Sequence, residues 1–180
     1  MNKKVLIIST SLRQNSNSEL LARQFARGAE EAGNRVETVS LRGKNIRFCM
    51  GCLACQKTGR CAIQDDMETI TEKMREAEVI CFATPVYYYQ MSGQMKTMLD
   101  RANALFAADC AFRDIYLVTA SAEAEYSAAD GPIHGLEGWI ACFEKARLAG
   151  VVRGGGAGDP GEMEGLTGKL DEAYEMGKAI

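Results

Sequence analysis

The chain has 180 residues, of which 21 are basic and 24 acidic, giving a formal net charge of −3 without a basic run, so an extended contact with nucleic acid or an anionic membrane has nothing to rest on. No apolar stretch reaches membrane-spanning length, and the run at residues 5–8 passes straight into polar residues instead of completing an export signal. Seven cysteines, an odd number, without such a signal are expected in the cytoplasm as free or metal-bound thiols rather than as a disulfide framework.

In chain order, a buried strand is expected at residues 5–8, followed by Ser9-Thr10-Ser11-Leu12-Arg13-Gln14-Asn15-Ser16-Asn17-Ser18 and an amphipathic helix at residues 19–32. A strand that ends in hydroxyls, amides and one guanidinium, with a helix directly after it, builds an anion seat. Unpaired N–H groups and the positive end of the helix dipole point outward there. The loop has neither G-x-G-x-x-G nor G-x-x-x-x-G-K-[ST], which disfavours a dinucleotide pyrophosphate or a nucleoside triphosphate. A single terminal phosphate fits better, with Arg13 forked onto two oxygens and Ser11, Ser16, Asn17 and Ser18 donating to the rest, as for a monoester such as FMN. The bland alternative is that Ser and Asn serve only as caps and turns.

A second strand is expected at residues 36–41, and the loop after it spaces Cys49, Cys52, Cys55 and Cys61 as C-x2-C-x2-C-x5-C. Four thiols so close together suit an iron–sulfur cluster, whose ferredoxin ligation opens with the same rhythm, better than zinc, whose knuckles pair cysteines across longer spacers. Thiol–disulfide cycling and bystander thiols are the alternatives. Met67, Ile70, Met74 and Ala77 mark the next helix, opened by Asp65 or Asp66 as N-cap with Glu68 behind.

The third strand, at residues 79–83, leads into Thr84-Pro85-Val86-Tyr87-Tyr88-Tyr89-Gln90-Met91-Ser92-Gly93. A helix follows over Met95, Met98, Leu99, Ala102, Leu105 and Phe106, with its methionines in the core and Lys96 and Asp100 paired on its face. Further strands are expected at residues 115–119 and 148–152, with helices at Trp139, Ile140 and Phe143 and at Leu170, Ala173, Tyr174 and Ile180. Cys81, Cys110 and Cys142 are taken as bystanders among apolar neighbours, and His134 as a surface or capping residue.

Five short β-branched strands alternating with helices predict an α/β flavodoxin-like doubly wound three-layer sandwich. Its five-stranded parallel sheet has the order 2-1-3-4-5, and one domain spans residues 1–180 with a cysteine-rich loop at 47–64. Ligands bind such sheets beyond the carboxyl ends of strands 1 and 3. The loop after strand 3 is then the seat of a flat ring, with Pro85 stiffening it, Val86, Tyr87 and Tyr88 offering faces and Gln90 bonding the rim of an isoalloxazine.

The segments 11–18 and Pro85-Val86-Tyr87-Tyr88 through Ser92-Gly93-Gln94-Met95-Lys96, ending in Asp100-Arg101, resemble the NADPH-dependent FMN reductase branch of the flavodoxin superfamily over nearly the whole chain. Thr10 departs from it, where Gly is usual, and so does Leu12, where Pro is frequent. The resemblance implies FMN at these two loops, NAD(P)H as cosubstrate, a flavin, quinone or similar small-molecule acceptor, and a homodimer or homotetramer. The cysteine spacing with Asp65-Asp66-Met67 is also similar to the iron-sulfur flavoproteins. That likeness implies a [4Fe-4S] cluster on Cys49, Cys52, Cys55 and Cys61 near the FMN and a ferredoxin-like donor. No hydrolytic residue set is present, and flavin chemistry needs no protein acid or base. The expectation is an FMN-dependent oxidoreductase using NAD(P)H. Its alternative is an iron-sulfur flavoprotein or flavodoxin-like carrier exchanging electrons with a protein.

Overall fold

The computed structural model describes residues 2–180. Six strands, β1 (Lys4–Ser9), β2 (Arg35–Ser40), β3 (Val79–Tyr87), β4 (Gln90–Met91), β5 (Asp114–Ser121) and β6 (Arg147–Gly155), alternate with helices. These are α1 (Asn17–Glu31), α2 (Ala54–Thr58), α3 (Met67–Glu76), α4 (Gly93–Arg101), α5 (Asp130–Ile140) and α6 (Thr167–Lys178). The five long strands run parallel in the order β2-β1-β3-β5-β6, the doubly wound flavodoxin-like topology, and β4 is a short antiparallel addition to β3.

Period-two alternation sorts the strand residues into two cores. Val5, Ile7, Cys81, Ala83, Val118 and Val152 meet Leu21 and Phe25 of α1 and Ala173 of α6 on one face. Leu6, Ile8, Ile80, Phe82, Ile115 and Leu117 meet the methionine-rich faces of α3 and α4 and Leu136 and Ile140 of α5 on the other. Helices α1 and α6 cross at Gly28 and Gly177, where an added methyl would collide with Tyr174 O and Phe25 O respectively.

Three expectations shift. The third predicted helix ends at Arg101 and tightens into a 3-10 turn, Ala102–Leu105, with Phe106 N bonded to Asn103 O, which leaves Phe106 at the surface. Helix α5 begins at Asp130, earlier than expected, because Gly131, Pro132 and Gly135 dilute its apolar signal; Pro132 sits in the first turn, where a missing N–H costs nothing. Phe143 lies beyond its end yet still packs on Trp139, centroids 4.6 Å apart. Asp66 holds the N-cap position of α3 but makes no side-chain cap bond, while Asp65 accepts from Met67 N at 3.1 Å and is otherwise committed to Arg101 and Arg47 N. Among the described residues no helix is long and apolar enough to cross a membrane.

Candidate functional site

Beyond the carboxyl ends of β1, β3 and β5 lies a cavity of about 250 Å³. Its floor is the β1–α1 loop and the first turn of α1. Thr10 anchors that loop, its N–H and Oγ1 both donating to Ala83 O at 2.9 Å, with Oγ1 also 3.1 Å from Ser92 Oγ. The hydroxyl that Gly would lack thus ties β1 to β3. Asn15 turns the chain with φ 50°, and Ser16 caps α1 by accepting from Glu19 N at 3.2 Å.

Ser11, Arg13, Ser16, Asn17 and Ser18 line the cavity together with Pro85, Val86 and Tyr87 from the end of β3. Ser18 is 1 % exposed, and its Oγ has no hydrogen-bond partner. A buried hydroxyl without a partner is costly unless a ligand satisfies it. The N–H groups of Asn17 and Ser18, in the first turn of α1, have no intrahelical acceptor either. Arg13 reaches over the opening and donates from Nη1 to Gly158 O at 3.0 Å, while Arg42 Nη1 donates to Arg13 O at 3.0 Å. One guanidinium, that of Arg13, and a helix N-terminus at one small cavity make a seat for an anion.

Asn17 serves differently from expectation. Its amide donates to Ala157 O and Asp159 O at 3.0 and 2.8 Å and accepts from Met163 N at 3.1 Å, so the side chain is a strut and only its backbone N–H is free for a ligand. Tyr88 and Gln90 lie outside the cavity. The β3–β4 hairpin turns at Tyr88-Tyr89, leaving Tyr88 fully exposed, and Gln90 pairs with Tyr87 and lies against Gly131 of α5.

Two further walls complete the cavity, and the sequence reading assigned no contact in either. Ala120 comes from the end of β5 and Ala122 from the β5–α5 loop, and Ala157, Gly158 and Pro160 come from the β6–α6 loop. The two loops are joined through Ala157 N to Ser121 O and Gly156 N to Glu123 O, at 2.9 and 3.2 Å. A methyl on Gly155 would come within 2.8 Å of Glu123 O. The run Gly154-Gly155-Gly156 was the signal that a backbone approaches here. Arg153 pins the same β5–α5 loop, with its guanidinium 4.0 Å from the Tyr126 ring centroid and Nη1 donating to Tyr126 O and Asp130 Oδ1, both at 2.6 Å.

The cysteine loop is built another way. Its brace is Arg101, side chain 0 % exposed, which donates to both oxygens of Asp65 at 2.7 and 3.0 Å, to Arg47 O at 2.7 Å and to Ile63 O at 3.2 Å. Burial alone would raise the Asp65 carboxyl, yet the hydrogen bonds from Arg101, Arg47 N and Met67 N outweigh it and hold the group below its ordinary value. Cys49 and Cys52 are exposed, Cys55 is buried with Sγ accepting from Asn103 Nδ2 at 3.2 Å, and Cys61 is half-buried. Among the described residues no three His, Cys, Asp or Glu side chains converge to hold a metal ion. The four thiols suit a soft metal chemically, but their arrangement here is not a ligand set. Burial pushes the Cys81 and Cys110 thiols up, as befits inert core residues. Cys142, expected among apolar neighbours, is exposed. His134 is exposed on α5.

A larger cleft, about 400 Å³, opens at the opposite end of the sheet between β1, β2 and α3. Four of its charges pair with one another, Lys4 with Glu76 and Lys73 with Glu37.

A sequence model of the NADPH-dependent FMN reductase family matches residues 3–133. The chain is 39 % identical over 102 residues to an iron-sulfur flavoprotein of Methanocaldococcus jannaschii, covering 57 % of this chain and 53 % of that protein. To an iron-sulfur flavoprotein of Archaeoglobus fulgidus it is 42 % identical over 83 residues, covering 46 % and 43 %. The chain spans about half the length of the curated relatives it matches. Among solved structures, an NAD(P)H:quinone oxidoreductase from Methanothermobacter marburgensis superposes with a TM-score of 0.77 at 16 % identity, covering 99 % of this chain and 96 % of that one. An azoreductase from Bacillus anthracis superposes with a TM-score of 0.74 at 18 % identity and full coverage of both, 100 % each. At such identities these likenesses establish the fold.

Proposed function

The chain belongs to the NADPH-dependent FMN reductase family, and from that premise we propose that it is an FMN-dependent oxidoreductase that takes electrons from NAD(P)H and passes them to a small-molecule acceptor of flavin or quinone class. The observation that carries this reading is the buried, unpartnered Ser18 Oγ on the floor of the anion seat. Ser11, Ser18 and the first-turn N–H groups of α1 would take the phosphate, with Arg13 closing over it and Ser16 holding the cap. Pro85, Val86 and Tyr87 would flank the ring on one side and Ala120 and Ala122 on the other. Bound FMN supplies the redox chemistry, accepting hydride equivalents and giving up electrons singly or in pairs. What the chain would supply is orientation: α1 presents its positive end to the cavity, Thr10 locks the seat to β3, and the Asn17 strut fixes the outer wall.

Titration of the purified chain with FMN, followed by flavin fluorescence, tests this directly. Binding at micromolar concentration or tighter, with anaerobic bleaching of the bound flavin by NADH or NADPH, is the expected result; a chain that leaves FMN free overturns it.

A second reading is favoured by the cysteine spacing and by relatives named iron-sulfur flavoproteins. In it Cys49, Cys52, Cys55 and Cys61 hold a [4Fe-4S] cluster fed by a ferredoxin-like donor, which requires the loop to draw Cys49 and Cys52 inward from their exposed positions. Anaerobic purification with iron and sulfide analysis decides it, about four irons per chain being the expected content. A homodimer or homotetramer in the cytoplasm belongs to either reading and is checked by light scattering and cell fractionation.

A further inference from the structure

Two successive peptide groups of the β6–α6 loop are gripped on both edges. Their carbonyls face the β1–α1 side, where Ala157 O accepts from Asn17 Nδ2 and Gly158 O from Arg13 Nη1, each at 3.0 Å. Their N–H groups, those of Gly158 and Asp159, both donate to one oxygen of Glu162, at 2.7 and 2.9 Å. In a planar trans peptide the N–H and C=O point opposite ways, so holding one edge aims the other. The Gly158–Asp159 peptide thus stands between a carboxylate and a guanidinium, and each polarises it in the sense that strengthens the other's hydrogen bond. Glu162 heads a 3-10 turn, Glu162–Gly165, entered through Gly161 at φ 89°. The two loops meet again at this glycine, where an added methyl would come within 2.9 Å of Asn15 Nδ2.

A carboxylate on the loop that walls an anion seat repels the ligand by its charge alone. Its two hydrogen bonds explain its place. We infer that Glu162 is a positioning residue for the anion seat: through the Gly158–Asp159 peptide it fixes the Arg13 guanidinium at the cavity, and so makes the site discriminate a flavin that ends in phosphate from one that ends in a hydroxyl. The inference rests on the flavin reading above. Glu162 acts only through that peptide, and Arg13, which lines the cavity, is the group that meets the ligand.

FMN and riboflavin, which share the ring and differ in the phosphate, are titrated into wild type, Glu162→Ala, Glu162→Asp and Glu162→Gln, with flavin fluorescence as the readout. The quantity compared is the ratio of the riboflavin Kd to the FMN Kd. Ala, which has no acceptor, and Asp, which keeps the charge on a side chain one methylene shorter, are expected to lower that ratio about tenfold, the equivalent of one charge-assisted hydrogen bond. Gln, whose amide oxygen accepts the same two N–H groups, restores it. Riboflavin binding reports that each variant is folded, and the Asp variant carries the test should Ala fail to fold. In an Arg13→Gln background Glu162→Ala adds no further loss, because the two residues act in series. A wild-type chain that leaves FMN free, or holds riboflavin as tightly, defeats the reading of the anion seat and this inference with it. A chain that prefers FMN but keeps the wild-type ratio in the Ala and Asp variants defeats the inference alone. So does tighter FMN binding by Glu162→Ala, which would mean that the two freed N–H groups take the phosphate themselves, or a full additional loss in the Arg13→Gln background.

Discussion

The anion seat and the cysteine loop are both expected to hold redox groups, and they are built on opposite terms. The seat is made by the ends of regular elements. β1, β3, β5 and β6 deliver Ser11, Pro85, Ala120 and Ala157 to one cavity, and α1 supplies its N-terminus. The cysteine loop has one five-residue helix, α2, and takes its shape from side chains brought in from elsewhere, chiefly Arg101. A site made of backbone ends is positioned once the sheet forms, whereas one made of thiols on irregular chain depends on whatever braces that chain.

The brace gives the largest effect. Arg101→Leu strands the buried Asp65 carboxylate and the carbonyls of Arg47 and Ile63, and is expected to cost about 3–5 kcal/mol in urea denaturation. A variant as stable as wild type would mean that the loop needs no brace. Next, Asn17→Ala removes three hydrogen bonds that join α1 to the β6–α6 loop, with an expected cost of about 2–3 kcal/mol by the same measurement and weaker flavin binding as the outer wall loosens. Ser18→Ala sharpens the contrast. Because its Oγ bonds nothing in the protein, stability should hold or rise slightly, while FMN affinity falls about tenfold or more for the loss of a charge-assisted bond. A fall in stability with unchanged affinity would reverse the roles assigned to the two regions.

The smallest effect is in pH. Asp65 is held below its ordinary carboxyl value in the folded chain, so its ion pair contributes fully above the unfolded value and is lost as pH falls through the folded one. The stability gap between wild type and Asp65→Asn should therefore be constant near neutrality and close only below about pH 4. A gap that closes already at pH 6 would show that another group controls the brace.

Strand order and the eight seat residues from Ser11 to Tyr87 were legible because apolar period and loop chemistry are local signals. Asn17 was read by residue type as a ligand and acts as a strut, since its partners lie some 140 residues away in sequence. The same distance hid Ala157 and Gly158, and Arg101 had no legible partner because Asp65 lies 36 residues away. Tyr88 was read as a ring contact, but it falls in the two-residue turn of the β3–β4 hairpin, exposed and outside the cavity. For the thiols, spacing gives their number but not the fold of the loop that carries them.

The strut between Asn17 and the β6–α6 loop makes the cavity a joint product of two distant stretches of chain. Its floor comes from residues 11–18 but its outer wall from Ala157, Gly158 and Pro160, so a fragment cut ahead of Ala157 is expected to keep the floor, lose the wall and hold FMN more weakly than the uncut chain.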